Sequence, residues 1–341
     1  MSSSGPLVLP YSGVSPVFGT APDAPRSAAV LGRVAMGRNG HLGTHSVIRA
    51  DGHYVTIGDD FWLGEHGTVH IAHEVYPTHI GDRVTAAANS IIHACDVGSN
   101  CVIGRDVVIL DGSKVGGNMA LEDGSIVYPR SILESGRLYA GRPAKVVREL
   151  DAVELDAMHQ SLRKHNSARA FAAVPTGEPE TIGVHFIAAT ATLRGTVAIG
   201  DNVGVWFGCD LDGGTFGICV GDRTNIQDNT IIRSNHHPVG IAEEVTIGHN
   251  VTMNDCTILA RSLVGMGAVV SPGTIISEDV FLAAGAVTEP GQTLESGWLY
   301  GGNPARQLRR LDDEKRKIIT STWRVYMDYA RDFDHEQRLI G

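Results

Sequence analysis

The sequence has no apolar run long enough to span a membrane, which excludes a transmembrane helix. It has no excess of positive charge. Its 28 Lys and Arg against 38 Asp and Glu leave a net charge of −10, so the basic field needed for nonspecific nucleic-acid binding is missing. The N-terminal stretch MSSSGPLVLPYSGVSP lacks a charged region followed by an apolar core, and it reads as an ordinary leader, not as a signal peptide. Cysteine is scarce. The five residues Cys95, Cys101, Cys209, Cys219 and Cys256 are scattered, which argues against a disulfide framework and for a reduced, cytoplasmic protein.

What the chain does have is a beat of six. Val97, Ile103, Ile109, Val115, Leu121, Val127 and Leu133 fall at steps of six in the first half. Val245, Val251, Leu263, Val269, Ile275, Phe281 and Val287 do so in the second, with Thr257 in the gap. A helix repeats at 3.6 residues and a plain strand at 2, so neither sustains this period. A β-helix does, because short strands and turns stack and one aliphatic side chain per repeat fills the interior. The 41 glycines suit tight repeating turns, and 43% hydrophobic content suffices for a core.

The 341 residues allow two domains, and the halves are copies. LYAGRPAKVVREL at Leu138–Leu150 recurs as LYGGNPARQLRRL at Leu299–Leu311. Each copy ends in a helical stretch that opens on acidic residues, Asp151 to Phe171 and Asp312 to Phe333. Between them, Val174–Thr181 is a Pro/Gly linker. The expected layout is a leader (1–25), a first β-helix (26–150), a helix and linker (151–180), a second β-helix (181–311) and a C-terminal helix (312–341). A β-helix has open faces and ends, so a homo-oligomer, dimer or trimer, is expected.

The stretches GDRTNIQDNTIIR, EEVTIGHNVTMNDCTI, LVGMGAVV and GGNPARQLRRL resemble the γ-class carbonic anhydrase family, within the hexapeptide-repeat superfamily that also contains acyltransferases. The resemblance covers nearly the whole chain. It implies an all-β fold of two left-handed parallel β-helices in tandem, each followed by an α-helix. It also implies a metal held by three His, two from one β-helix and one from a neighbour. Carried onto this sequence, the first ligand position is His70 in the first half and Arg233 in the second. The third is His93 and Asn254. The position that reaches across to a neighbour is Ala88 in the first half and His249 in the second. Neither half has a full set, and the losses are complementary. A composite of His70, His93 and His249 would present three imidazoles and an open fourth position, as a catalytic zinc requires, with Fe2+ or Co2+ as alternatives.

Other motif positions split in the same way. The family's Arg-Gly-Asp turn is Arg49-Ala50-Asp51 in the first half and Asp212-Gly213-Gly214 in the second. Its Asn-x-Gln-Asp stretch survives as Asn225, Gln227 and Asp228, but is Trp62, Leu63, Gly64 and Glu65 in the first half. The implied chemistry is a metal-bound water with its pKa lowered to about 7, giving a hydroxide that attacks CO2 or another small electrophilic carbon. Gln227 would orient that water, Arg49 with Asp51 or Asp228 would hold an anion, and Glu65 would move a proton.

Duller readings stand beside these. The first half carries eight His between His41 and His93, most of them turn or surface residues, and His66 and His73 flank His70 as substitute ligands. Arg49 and Asp51 also read as a structural ion pair. Cys95 and Cys256 read as core thiols, and Trp62 and Trp206 as core packing. Rival functions are a metal-dependent hydrolase or lyase on a small organic substrate, an acyl-CoA-dependent acyltransferase, and a non-catalytic assembly protein. Neither a nucleic acid nor a membrane is an expected partner.

Overall fold

The structure, a computed structural model, describes residues 5–164, 180–181 and 183–340. The end of the first helical stretch and most of the linker Val174–Thr181 lie outside the described residues. The chain divides into two compact units, Met1–Ala170 and Phe171–Gly341.

In the coils of the first unit the short strands pair in parallel with the strand one coil later, and only the final Arg137–Ala140 and Lys145–Glu149 pair antiparallel among its described strands. Asp96 lies opposite Lys114, and Lys114 opposite Ile132, so three six-residue steps complete a coil. The corners explain the step length. Asn100, Asp106, Gly112, Asn118, Gly124, Arg130 and Gly136 all have φ between 53° and 75°. This left-handed region favours Gly and, among other residues, Asn and Asp. One such residue turns the chain every six positions. Three places after each of these corners, and after Ala94 (φ 51°), an apolar side chain points inward, Tyr139 being the one that follows Gly136. Val97, Ile103, Ile109, Val115, Leu121, Val127 and Leu133 are all buried in one continuous core. Each such burial stabilises by roughly 1.5–3 kcal/mol. The stretch read as a leader belongs to the sheet: Leu7–Leu9 and Val17–Phe18 both pair in parallel with Ala29–Met36.

The second unit repeats the plan. Its corners at Asp255, Arg261, Gly267, Gly273, Asp279, Gly285, Gly291 and Gly297 again have positive φ. They fix the correspondence between the halves, and they correct the inward column. Val245 and Val251 are wholly buried as expected, but from there on the interior is filled by Ile258, Val264, Val270, Ile276, Leu282 and Leu294. Ile275 is 42% exposed. The second half carries adjacent aliphatic pairs, such as Leu263-Val264 and Ile275-Ile276, and both members recur at six. The period alone cannot say which member turns inward; the corner residue does.

Helix α1 (Ala152–Lys164) follows the first β-helix. Asp151 caps it by accepting the Glu154 N–H at 2.8 Å. Leu155, with Met158 and Leu162, packs on Val102, Ala120 and Leu138. Helix α2 (Asp313–Ile340) lies within the 312–341 span expected for the C-terminal helix and continues past Phe333. Asp312 caps it through the Lys315 N–H at 2.8 Å, and Ile319 packs with Leu263 and Leu311. Its later turns meet an aromatic cluster in which Trp206 packs edge-on against Tyr326, Tyr329 and Phe333. Gly204 makes room for that indole, since a Cβ there would sit 2.8 Å from Trp206 Nε1. Among the described residues no helix is long and apolar enough to cross a membrane.

Candidate functional site

In the first unit, Ile48, Val69 and Ile92 point into the core, so their neighbours Arg49, His70 and His93 share one outer face. The strand register sets His70 beside His93, and the pairing of Ile48 with Val69 sets Arg49 beside His70. All three are buried. Asp51 is wholly buried and pairs with Arg49. It also lies 3.2 Å from His70 Nε2 and accepts the Gly52 N–H at 3.0 Å. Burial pushes the Asp51 carboxyl up, but Arg49 and His70 outweigh this and hold it well below the ordinary range. His93 Nδ1 lies 2.6 Å from Asp111. Burial likewise works against ionised Asp111, and His93 outweighs it, so its pKa is lowered.

The other two ring nitrogens, His70 Nδ1 and His93 Nε2, face each other at 3.2 Å. A carboxylate can only accept. With Asp51 and Asp111 ionised, His70 carries its proton on Nε2 and His93 on Nδ1, an assignment made from the partners. Two lone pairs then meet face to face. That is unfavourable unless a cation or a proton lies between them, and a metal ion answers it. A carboxylate behind each ligating imidazole is the usual outer arrangement of a metal site. The donor set therefore fits a divalent cation.

In the second unit, His249 Nδ1 lies 3.2 Å from Asp228, whose other oxygen accepts the Phe207 N–H at 3.0 Å. His249 Nε2 lies 3.4 Å from the Tyr326 hydroxyl on α2. Gln227 is nearly buried and donates to Asn225 Oδ1 at 3.2 Å, and Asn225 donates to Thr246 at 2.9 Å. The ladder equivalent to Arg49–His70–His93 is Asp212–Arg233–Asn254. Here Arg233 pairs with Asp210, and Arg194 pairs with both Asp210 (2.8 Å) and Asp212 (3.4 Å).

The first unit thus gathers Arg49, Asp51, His70 and His93, and the second gathers Gln227, Asp228 and His249. Glu65 is half-buried in the turn after Trp62–Leu63. His66 stacks on His45 at 5.1 Å, and His73 is exposed. Trp62 stacks on His41 at 3.6 Å with the Arg163 guanidinium 5.7 Å from its ring centre, so it is held as packing. Burial raises the Cys95 thiol and pushes Cys256 up to about 12, which leaves both protonated core residues. Sequence reasoning missed Asp111 and Tyr326. Asp111 was within reach, since it lies 18 positions, one coil, beyond His93. Tyr326 had no such signal, because its contact with His249 spans 77 positions.

No family model matches the chain. Over 153 residues it is 37% identical to Gamma carbonic anhydrase 1, mitochondrial, of Arabidopsis thaliana, a match that covers 43% of this chain and 56% of that one. The chain thus spans about half the length of this plant relative. Over 151 residues it is 31% identical to the carbonic anhydrase of Geobacillus kaustophilus, covering 44% of this chain and 83% of that protein. A solved structure from Desulfovibrio desulfuricans G20, named as an acetyltransferase, aligns over 89% of this chain and 71% of its own. Its 17% identity and TM-score of 0.54 express a likeness of fold alone. Both of these matches cover less than half of a chain whose two halves repeat each other. The chain belongs to the γ-class carbonic anhydrase-like family of the hexapeptide-repeat, left-handed β-helix superfamily, in a tandemly duplicated form.

Proposed function

We propose that the chain is a metal-dependent lyase of carbonic anhydrase type, interconverting CO2 and bicarbonate at a composite site of His70 and His93 from the first half and His249 from the second. The carrying observation is the pair of imidazoles facing each other at 3.2 Å with a carboxylate behind each. His249, with Asp228 behind it, is the third imidazole of the same kind. Three neutral imidazoles suit zinc, with Fe2+ and Co2+ as alternatives. Such an ion would supply Lewis acidity and would lower the pKa of a water at the site towards about 7.

The chain's own residues do the rest. Asp51 and Asp111 accept one ring N–H each and leave the opposite nitrogens of His70 and His93 as donors of lone pairs, while Asp228 lies 3.2 Å from His249 Nδ1. Arg49, wholly buried and paired with Asp51, holds that carboxylate in place. Gln227 gives its amide N–H to Asn225 and keeps Oε1 to accept from a substrate water. Glu65, half-buried at its turn, carries the proton away.

The test is CO2 hydration by the purified protein before and after chelation, and after zinc is returned. Activity lost on chelation, restored by metal and absent in His93→Ala is expected. Full activity in the chelated protein would contradict the proposal, and ester hydrolysis without CO2 hydration would move the assignment to a hydrolase.

A further inference from the structure

We propose that Asp111 is a positioning residue that fixes the tautomer and orientation of His93, and that its loss marks the position in the second half where the ligand is lost. This rests on the metal reading above. The first observation is geometric. Asp111 follows the strand Val108–Ile109, which pairs directly with Ile91–His93, so one coil places the carboxylate over the imidazole. Its Oδ1 lies 2.6 Å from His93 Nδ1. This is shorter than the 3.2 Å from His70 to Asp51 and than the 3.2 Å from His249 to Asp228. Gly112, with φ of 69°, makes the corner that directs Asp111 there.

The second observation is independent of that distance. The corner Gly112 corresponds to Gly273, so Asp111 corresponds to Pro272 and His93 to Asn254. Proline offers no side-chain acceptor. The same holds one coil earlier, where His70 and Asp51 correspond to Arg233 and Gly214. At both of these positions the imidazole and its carboxylate are present together or absent together, whereas at the third the first half keeps an acid, Glu65, where Ala88 replaces the imidazole. An Asp that served only to cap a turn would have no reason to follow the His. Each such pair therefore behaves as one unit: the acid holds the N–H, and the ring turns its other nitrogen to the shared point.

The experiment uses the full chain as wild type, Asp111→Ala and Asp111→Glu, with the exposed Asp96→Asn as control. Two readouts are taken. The 15N shifts of His93 in the metal-free protein report its tautomer. Zinc affinity by competition with a chelator reports the consequence. The proposal expects wild-type His93 protonated at Nδ1, a mixed tautomer in Asp111→Ala, and a 10- to 100-fold weaker zinc affinity. Asp111→Glu should recover most of that loss, and Asp96→Asn should match wild type. His93 protonated at Nε2 in the wild type, or an Asp111→Ala variant with unchanged tautomer, would overturn it. A wild type that binds no zinc but shows the expected tautomers would sink the metal reading and leave the positioning role standing.

Discussion

One outer face of the β-helix carries Arg49, His70 and His93 in the first unit, and Asp212, Arg233 and Asn254 in the second. The backbone ladder is the same. In the first unit, the carboxylates sit behind the imidazoles and leave ring nitrogens facing each other. In the second, two Arg and two Asp neutralise one another along the strands, and no imidazole remains there. A repeating fold fixes where side chains stand but not what they do. One copy turns that face into a pair of facing imidazoles backed by carboxylates and the other into an ion-pair network. The second unit keeps its acidic partner, Asp228, where it keeps its own His249.

The comparison breaks most sharply if the second unit's residue is written into the first. His70→Arg should abolish high-affinity zinc binding, by more than the 10- to 100-fold typical of an outer-shell change. Because Asp51 already pairs with Arg49, the second guanidinium leaves one buried charge without a carboxylate and should cost about 3–5 kcal/mol of stability. Chelator competition and circular dichroism check both halves of that statement. Next in size is a test of which aliphatic of each pair faces inward. Leu282→Ala should cost about 2–5 kcal/mol of stability, since Leu282 is wholly buried. Ile275→Ala should cost within about 0.5 kcal/mol by urea unfolding, because Ile275 is on the surface.

A third prediction concerns the first unit alone. His159 on α1 is buried and lies 2.8 Å from Thr85, and burial together with Arg83 and Arg163 lowers its pKa to about 4. The unfolded chain therefore takes up this proton first. The stabilising effect of the neutral ring is complete above pH 6.5 and declines as pH falls towards 4. Between pH 7.5 and 5 this amounts to about 2 kcal/mol, and His159→Gln should remove that part of the slope. The smallest effect is expected at the ion-pair face. Arg233→Leu leaves Asp210 with Arg194 alone, in a half-buried setting, and should cost about 1–2 kcal/mol with no change in metal content.

Much of this was legible in the sequence because the fold is local. A six-residue step is written in the aliphatics, and many of the corners it implies fall on Gly, Asn or Asp, with Arg130 and Arg261 among the exceptions. The complementary loss of His70, His93 and His249 equivalents could be read without coordinates. The inward column of the second half could not be read from its period, because Leu263-Val264 and its successors repeat in both members. The two strands within the first 25 residues were hidden because they pair with Ala29–Met36 outside the six-residue beat. Tyr326 was invisible for a different reason. It reaches His249 from a helix, across a separation that no repeat encodes.

The most direct test is the zinc content per chain of the untagged protein beside His70→Ala and His249→Ala. The account predicts about one ion per chain in the wild type and none in either variant, because one residue comes from each half. Zinc retained at one per chain in His249→Ala would contradict the composite site and assign the metal to the first half alone.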